Sequence, residues 1–226
     1  MFNDKIDSQV IGTLKIYDKD SGEILVQKKN AIHPGNMAYI LASALANEPT
    51  SVNSAGTTGP SINWMAFGNG GSVSTTTLSY RSPRVNSTYD QLPITQSNSS
   101  LYVPKYEQEI LQVDKTVYYP GQPLGGDLRV PNNTAKVKFS VEVSHAKYAA
   151  DARQGSELIP ASDSSTDVDS VKAFTFDEIG LLSGVTNAGV LEKEKTLMLT
   201  HVAFHPVLLS ANRTIVIDYT VTIQIS

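Results

Sequence analysis

Residues Thr214 to Ile225 read Thr-Ile-Val-Ile-Asp-Tyr-Thr-Val-Thr-Ile-Gln-Ile, and this stretch decides the fold class. The odd positions are Ile215, Ile217, Tyr219, Val221, Ile223 and Ile225. The even positions are Thr214, Val216, Asp218, Thr220, Thr222 and Gln224. Successive side chains of a β-strand point to opposite faces, so one face is uniformly apolar and the other almost uniformly polar. Burying each apolar group is worth roughly 1.5–3 kcal/mol before chain entropy is counted. A strand buried on one face belongs to an antiparallel sheet.

Working outward, Lys136–Ser144 repeats the pattern, with Val137, Phe139, Val141 and Val143 on one face. Leu197–Val207 reads as a further strand, ended by Pro206, which cannot donate to a ladder. Val10–Tyr17 and Glu23–Gln27 flank the turn cluster Asp18-Lys19-Asp20-Ser21-Gly22 and predict a hairpin. Ile62–Phe67 is a shorter, more continuously apolar strand stopped by glycine. One helix is predicted: Pro34 suits a first helical position, and Met37, Ile40, Leu41, Ala44 and Leu45 recur at helical offsets up to Glu48-Pro49. The expected fold is mainly β, an antiparallel β-sandwich with one short amphipathic helix and long extended loops or arms, residues 1–226 forming a single domain. Ser72–Ser100 is dense in serine and threonine, and prolines and glycines punctuate the chain to Pro131. Residues 72–135 therefore read as an extended arm or loop insertion, and 151–170 as a second polar loop, because compact domains rarely contain such long connections.

The chain has 226 residues, ample for a sizeable core, with 40% hydrophobic and 18% charged residues and a net charge of −4. A protein that binds by neutralising phosphates is normally basic, so no direct nucleic-acid contact is expected. The absence of cysteine excludes disulfides, thiol catalysis and thiolate zinc sites. Met1-Phe2-Asn3-Asp4-Lys5-Ile6-Asp7 carries acids where a signal peptide needs a basic region and an apolar run, so no signal peptide is expected. No stretch approaches the about eighteen continuous apolar residues of a membrane span, so no membrane insertion is expected.

Candidate chemistry is sparse. Phe67-Gly68-Asn69-Gly70-Gly71 follows a strand, but a phosphate cradle needs a helix start behind it, and Ser72–Thr77 is a poor one. A tight turn using glycine's backbone freedom is the expectation. His201 and His205 are four apart, which on a strand spans roughly 13 Å, too far for one ion. They read as same-face histidines at a sheet edge or a subunit contact, while His33 and His145 lack an acidic partner nearby in sequence. Asp18–Glu23 resembles the opening of a calcium loop, but Lys29 stands where the closing glutamate is needed, so a solvated turn is expected. Asp163, Asp167 and Asp169 would bind calcium only if a fold gathered them. The Asn-X-Ser/Thr matches at Asn86, Asn98, Asn132 and Asn212 are what an Asn/Ser/Thr-rich chain contains by chance. No catalytic residue, cofactor or metal is expected; Glu178, in the Asp177-Glu178 pair, is the only motif-embedded carboxylate an enzyme reading could use.

Three segments in order resemble structural proteins of tailed-bacteriophage virions, in particular the particle-attached modules of tail-collar, tail-fibre and baseplate proteins. They are Asn30-Ala31-Ile32 leading into the helix; the strand into Phe67-Gly68-Asn69-Gly70-Gly71 with Leu78 and Arg81 behind it; and Phe176-Asp177-Glu178-Ile179-Gly180-Leu181-Leu182, followed by Leu199-Thr200-His201-Val202-Ala203-Phe204 and the closing strand. The resemblance covers about half the chain, in short motifs. It implies a non-enzymatic, homo-oligomeric structural component of the particle, located in the virion and made in the host cytoplasm. No repetitive shaft follows, so a stand-alone component on the tail side is expected (baseplate, fibre attachment, collar or neck), with a capsid cement or decoration protein as the alternative. Its implied partners are copies of itself and other virion proteins. Arms would contact neighbours through Tyr80, Arg81, Arg84, Tyr118, Tyr119 and Arg129, since aromatic and arginine anchors are enriched in interface cores. An alternative of another class is a carbohydrate-binding β-sandwich module, so glycan contact is left open. Its signature, a row of exposed aromatics on one sheet face, is missing from the polar faces of the two clearest strands.

Overall fold

The computed structural model describes residues 7–46, 61–74, 77–84, 100–144, 174–184, 186–187, 190–191, 197–210 and 213–226. Strands β1 (Ser8–Asp18) and β2 (Ile24–Ile32) form the first hairpin, and helix α1 (Pro34–Ala46) follows. Strand β3 (Trp64–Gly68) runs into a small hairpin, β4 (Ser72–Ser74) and β5 (Leu78–Tyr80). Strands β6 (Pro104–Glu109) and β7 (Lys115–Tyr118) come next, then a two-stranded ribbon, β8 (Pro123–Gly125) and β9 (Leu128–Arg129). After β10 (Thr134–Ser144) and β11 (Phe174–Ser183) come the short strands β12 (Thr186–Asn187), β13 (Val190–Leu191) and β14 (Leu197–Met198). The chain closes with β15 (Thr200–Leu209) and β16 (Thr214–Ile225).

The fold is mainly β, as expected: one large curled antiparallel sheet with the order β6-β3-β11-β15-β2-β1-β16-β10-β7, and β14 beside β11. It works as two layers. On one side β2, β1, β16, β10 and β7 pair in long ladders; on the other β15, β11, β3 and β6 do so. Among the described residues the layers join where Thr200 pairs with Ile32 and His201 with Ala31, next to the His33 N–H donating to the Leu199 carbonyl at 2.8 Å. At the far side the chain steps from edge strand β6 to edge strand β7 through a single 3-10 turn at Gln112–Asp114. There Gln108 Nε2 donates to the Glu142 carbonyl at 3.3 Å, tying β6 to β10, the strand beside β7.

The apolar faces of the layers meet in one core. Leu14, Ile16, Phe139, Val141, Ile217 and Tyr219 come from the first layer, and Met65, Phe67, Tyr106, Phe176, Leu181 and Phe204 from the second. Phe176 packs edge-on against Phe67 and Phe204, with centroids 5.4 and 5.8 Å apart, an arrangement that places ring edges on ring faces. Strand β3 is buried on both faces, because Trp64 and Ala66 turn outward into a second small cluster with Leu101, Leu182 and Met198. That explains why its sequence does not alternate.

Four expectations are corrected. Residues 72–135 are not simply an arm: β6 and β7 are the two edges of the main sheet, and Tyr106, Ile110 and Val130 are buried. Pro206 does not end its strand. It sits in β15 where the register against β11 shifts, a bulge that spares the missing donor. The helix buries Asn36, Met37, Ile40 and Ser43, whereas Ala44 and Leu45 are exposed. The cause is a polar anchor, since Asn36 Nδ2 donates to the Met198 carbonyl at 2.7 Å and turns that face inward. Finally, His201 and His205 do not share an exposed face; His201 is buried and His205 exposed. The polar loop 151–170, His145 and Asp163, Asp167 and Asp169 lie outside the described residues. Among the described residues no helix is long and apolar enough to cross a membrane.

Candidate functional site

Strand β11 carries two adjacent carboxylates into the protein interior, Asp177 at 3% and Glu178 at 0% exposure. A buried charge is costly unless it is compensated; here both groups are hydrogen-bonded, and Glu178 also meets His201. Asp177 accepts from the Gly71 and Ser72 backbone N–H groups, each at 2.8 Å, and from the Ser72 hydroxyl. Glu178 Oε1 accepts from Gly70 N at 3.0 Å and Val103 N at 2.9 Å, and its Oε2 from Tyr102 N at 2.9 Å. The same Oε2 lies 3.0 Å from His201 Nε2. The other ring nitrogen, Nδ1, accepts the Arg84 N–H at 2.8 Å, so the ring proton sits on Nε2 and is donated to Glu178.

Burial pushes the Glu178 pKa up, but the His201 hydrogen bond and the N–H groups of Val103 and Tyr102 outweigh it, leaving the carboxyl below its ordinary value. The glycine-rich turn is thus a cradle for the chain's own carboxylates. Its glycines are needed for close approach rather than for a left-handed backbone. A Cβ on Gly71 would stand 2.6 Å from the Asp177 carbonyl oxygen, and one on Gly70 2.6 Å from Val103 Cγ2. Chemically the cluster is a clamp: it gathers residues 70–72, 84 and 102–103 onto β11 and β15, and its carboxylates are closed to solvent.

Outside this clamp lies a cationic, aromatic surface. Arg81 N–H donates to the Gly71 carbonyl at 2.8 Å, and the Tyr102 hydroxyl donates to the Ser82 carbonyl at 2.7 Å. The Arg81 and Arg84 guanidinium carbons stand 4.8 and 4.2 Å from the centre of the Tyr102 ring. Lys28 Nζ donates to the Ala203 carbonyl at 3.2 Å and sits 4.3 Å over the Tyr80 ring.

A second surface follows β7. Tyr118 pairs with Lys136, and Tyr119 is 65% exposed, its N–H bound to Gln122 Oε1 at 2.9 Å. Gly121, Gly125 and Gly126 adopt positive φ of 75°, 109° and 57°, which lets the ribbon turn back tightly. Arg129 Nη1 reaches the Gly121 carbonyl at 3.4 Å. Every residue from Pro123 to Arg129 is exposed, including Leu124 and Leu128; Val113 and Leu111 are exposed just upstream.

The six anchor candidates therefore fall into two groups. Arg81 and Arg84 meet on Tyr102, with Tyr80 next to Arg81 in the chain and in contact with Lys28, and Tyr118, Tyr119 and Arg129 line the β7 edge and its ribbon. Lys28 and Tyr102, absent from the sequence reading, complete the first group; nothing local marks them, since the contacts come from β2 and from the approach to β6. The Asp18 turn is closed by its own side chain. Oδ1 accepts from Asp20 N, Ser21 N and the Ser21 hydroxyl, and Oδ2 takes Arg213 Nε at 2.7 Å. His33 caps the helix, its Nδ1 accepting Asn36 N–H at 3.1 Å. Comparison with protein-family models, with curated proteins and with solved structures finds no match.

Proposed function

We propose that the chain is a non-enzymatic, homo-oligomeric structural component of a tailed-phage particle, built into the tail side at a baseplate, fibre-attachment, collar or neck position. The observation that carries this reading is the exposed ribbon. Leu124 and Leu128 are 44% and 70% exposed, and Val117 on edge strand β7 and Tyr119 just after it are exposed as well. Exposed apolar clusters of this kind mark surfaces that another protein covers, and an edge strand is a template for further pairing. Much of the described part of 72–135 is folded onto the chain's own sheet, so the contact surface is the ribbon and not the whole segment.

Two further points support it. Two of the three segments that resemble particle-attached modules meet at the clamp, where the Phe-Asp-Glu-Ile-Gly strand holds the glycine turn. Glu178, the one carboxylate an enzyme reading had, is saturated by backbone N–H groups and His201, which suits a scaffold role.

The test is the mass of the purified native protein by light scattering and native mass spectrometry. A closed oligomer is expected, and Leu124→Ser with Leu128→Ser is expected to shift it toward monomer without lowering the unfolding temperature. A wild-type protein that stays monomeric at all concentrations, alone and with particle extracts, overturns the proposal.

A further inference from the structure

The surface around Tyr102 has the chemistry of an anion receptor. Lys28 and Arg81 are exposed, while Arg84 and Tyr102 are half-buried. Stacking against a ring engages the face of a guanidinium and leaves its in-plane N–H groups available for a planar anion. Arg84 uses one of its N–H groups on the Ser100 hydroxyl, at 3.4 Å. Among the described residues none of Lys28, Arg81 and Arg84 is ion-paired with a carboxylate, whereas Lys19, Lys138 and Arg213 are paired with Glu142, Asp218 and Asp18. These cations, two carried by Tyr102 and one by Tyr80, the residue before Arg81, are complementary to an acidic partner, in a chain whose net charge is −4.

The surface is also held in place before anything binds. Arg81 N–H is fixed to Gly71, Arg84 N–H to the buried His201, and the Tyr102 hydroxyl to Ser82. Binding to groups already fixed avoids much of the ordering cost.

We infer that Lys28, Arg81 and Arg84, braced by Tyr80 and Tyr102, form a docking site for an acidic segment of a partner protein, with Asp or Glu carboxylates taken up by the free guanidinium edges. An acidic peptide fits better than a glycan. Tyr102 carries both guanidinium groups and Tyr80 carries the Lys28 ammonium, so the rings are not offered bare for sugar stacking. The biological occupant, a neighbouring subunit's acidic segment, rests on the assembly reading above; the anion chemistry of the surface does not.

The experiment is titration of the intact protein with a labelled oligoglutamate peptide, with oligoglutamine as the neutral control and heparin as an anionic polysaccharide. Saturable, salt-sensitive binding of oligoglutamate alone is expected, weakened about tenfold or more by Arg81→Gln with Arg84→Gln. Should the double variant unfold, Arg81→Gln and Lys28→Gln, which alter exposed side chains only, each carry the test with a smaller loss. No binding by wild type, or equal binding by the variants, overturns the site. Heparin binding with the same arginine dependence and no peptide binding makes it a polysaccharide site and overturns it too. A monomer that still binds oligoglutamate removes the assembly reading alone; an oligomer that does not bind removes the docking site alone.

Discussion

At the scale of single residues, Glu178 ties together segments that are far apart along the chain. It accepts from donors 75, 76 and 108 residues away along the chain, and pairs with a histidine 23 residues away. Glu178→Gln keeps the shape but replaces one acceptor oxygen by an NH2 group facing existing donors. Leaving a buried donor without its acceptor costs about 1–3 kcal/mol, and denaturant unfolding should show a loss of that size. An unchanged midpoint would mean that the loops are held by something else. Asp18 gives a pH test. The Ser21 N–H first, then Arg213, hold its carboxyl at about 2, down from 3.8. A depressed folded-state pKa gives stability that is present above the ordinary value and lost as pH falls through the folded one. Wild type should therefore lose stability between about pH 4 and pH 2 more steeply than Asp18→Asn. Parallel pH profiles would count against the turn geometry.

At the scale of elements, α1 shows how one polar anchor overrides a periodic pattern. Apolar spacing alone selects Ala44 and Leu45 for the buried face, yet Leu45 is 90% exposed and Asn36 is fully buried. Ile40→Ala should cost about 2–5 kcal/mol as a buried truncation, while Leu45→Glu should stay within about 0.5 kcal/mol. Thermal unfolding of the two variants checks the face directly, and the reverse order would restore the periodic assignment. Strand β16 behaves oppositely. Ile215, Ile217, Tyr219 and Val221 are buried and their polar neighbours are not, as the alternation requires, although Val216 is buried too. The pattern is legible there because each face of the strand meets a single environment. Strands β3 and β11 were less legible, because both their faces are covered.

At the scale of the whole molecule, the curled sheet makes the core continuous between its two layers, and Tyr219 marks the seam. Its hydroxyl is wholly buried and hydrogen-bonds both Asn30 Nδ2 on β2 and the Thr200 side chain on β15, and burial pushes its pKa far up. Tyr219→Phe leaves the Asn30 amide donor without that acceptor and should cost about 1–3 kcal/mol, read as a lower denaturant midpoint with an unchanged slope. Ile217→Asp places a charge in the same core and should prevent folding. Soluble, cooperatively melting Ile217→Asp protein would invert the face assignment of β16. By contrast, substitutions at Leu124 and Leu128 should change association and leave folding intact.

The amino-acid sequence by itself determined the β class, the first hairpin, the faces of β10 and β16 and the existence of the single helix. Those follow from periodicity and turn chemistry, which act between neighbours in the chain. Only the tertiary structure decided which face of the helix is buried, that β6 and β7 are the two sheet edges, that Pro206 sits in a bulge, and that Glu178 and His201 close a clamp around the glycine turn. Each of these depends on partners brought from distant parts of the chain, and a hydrogen bond to a remote backbone N–H leaves no local pattern to read.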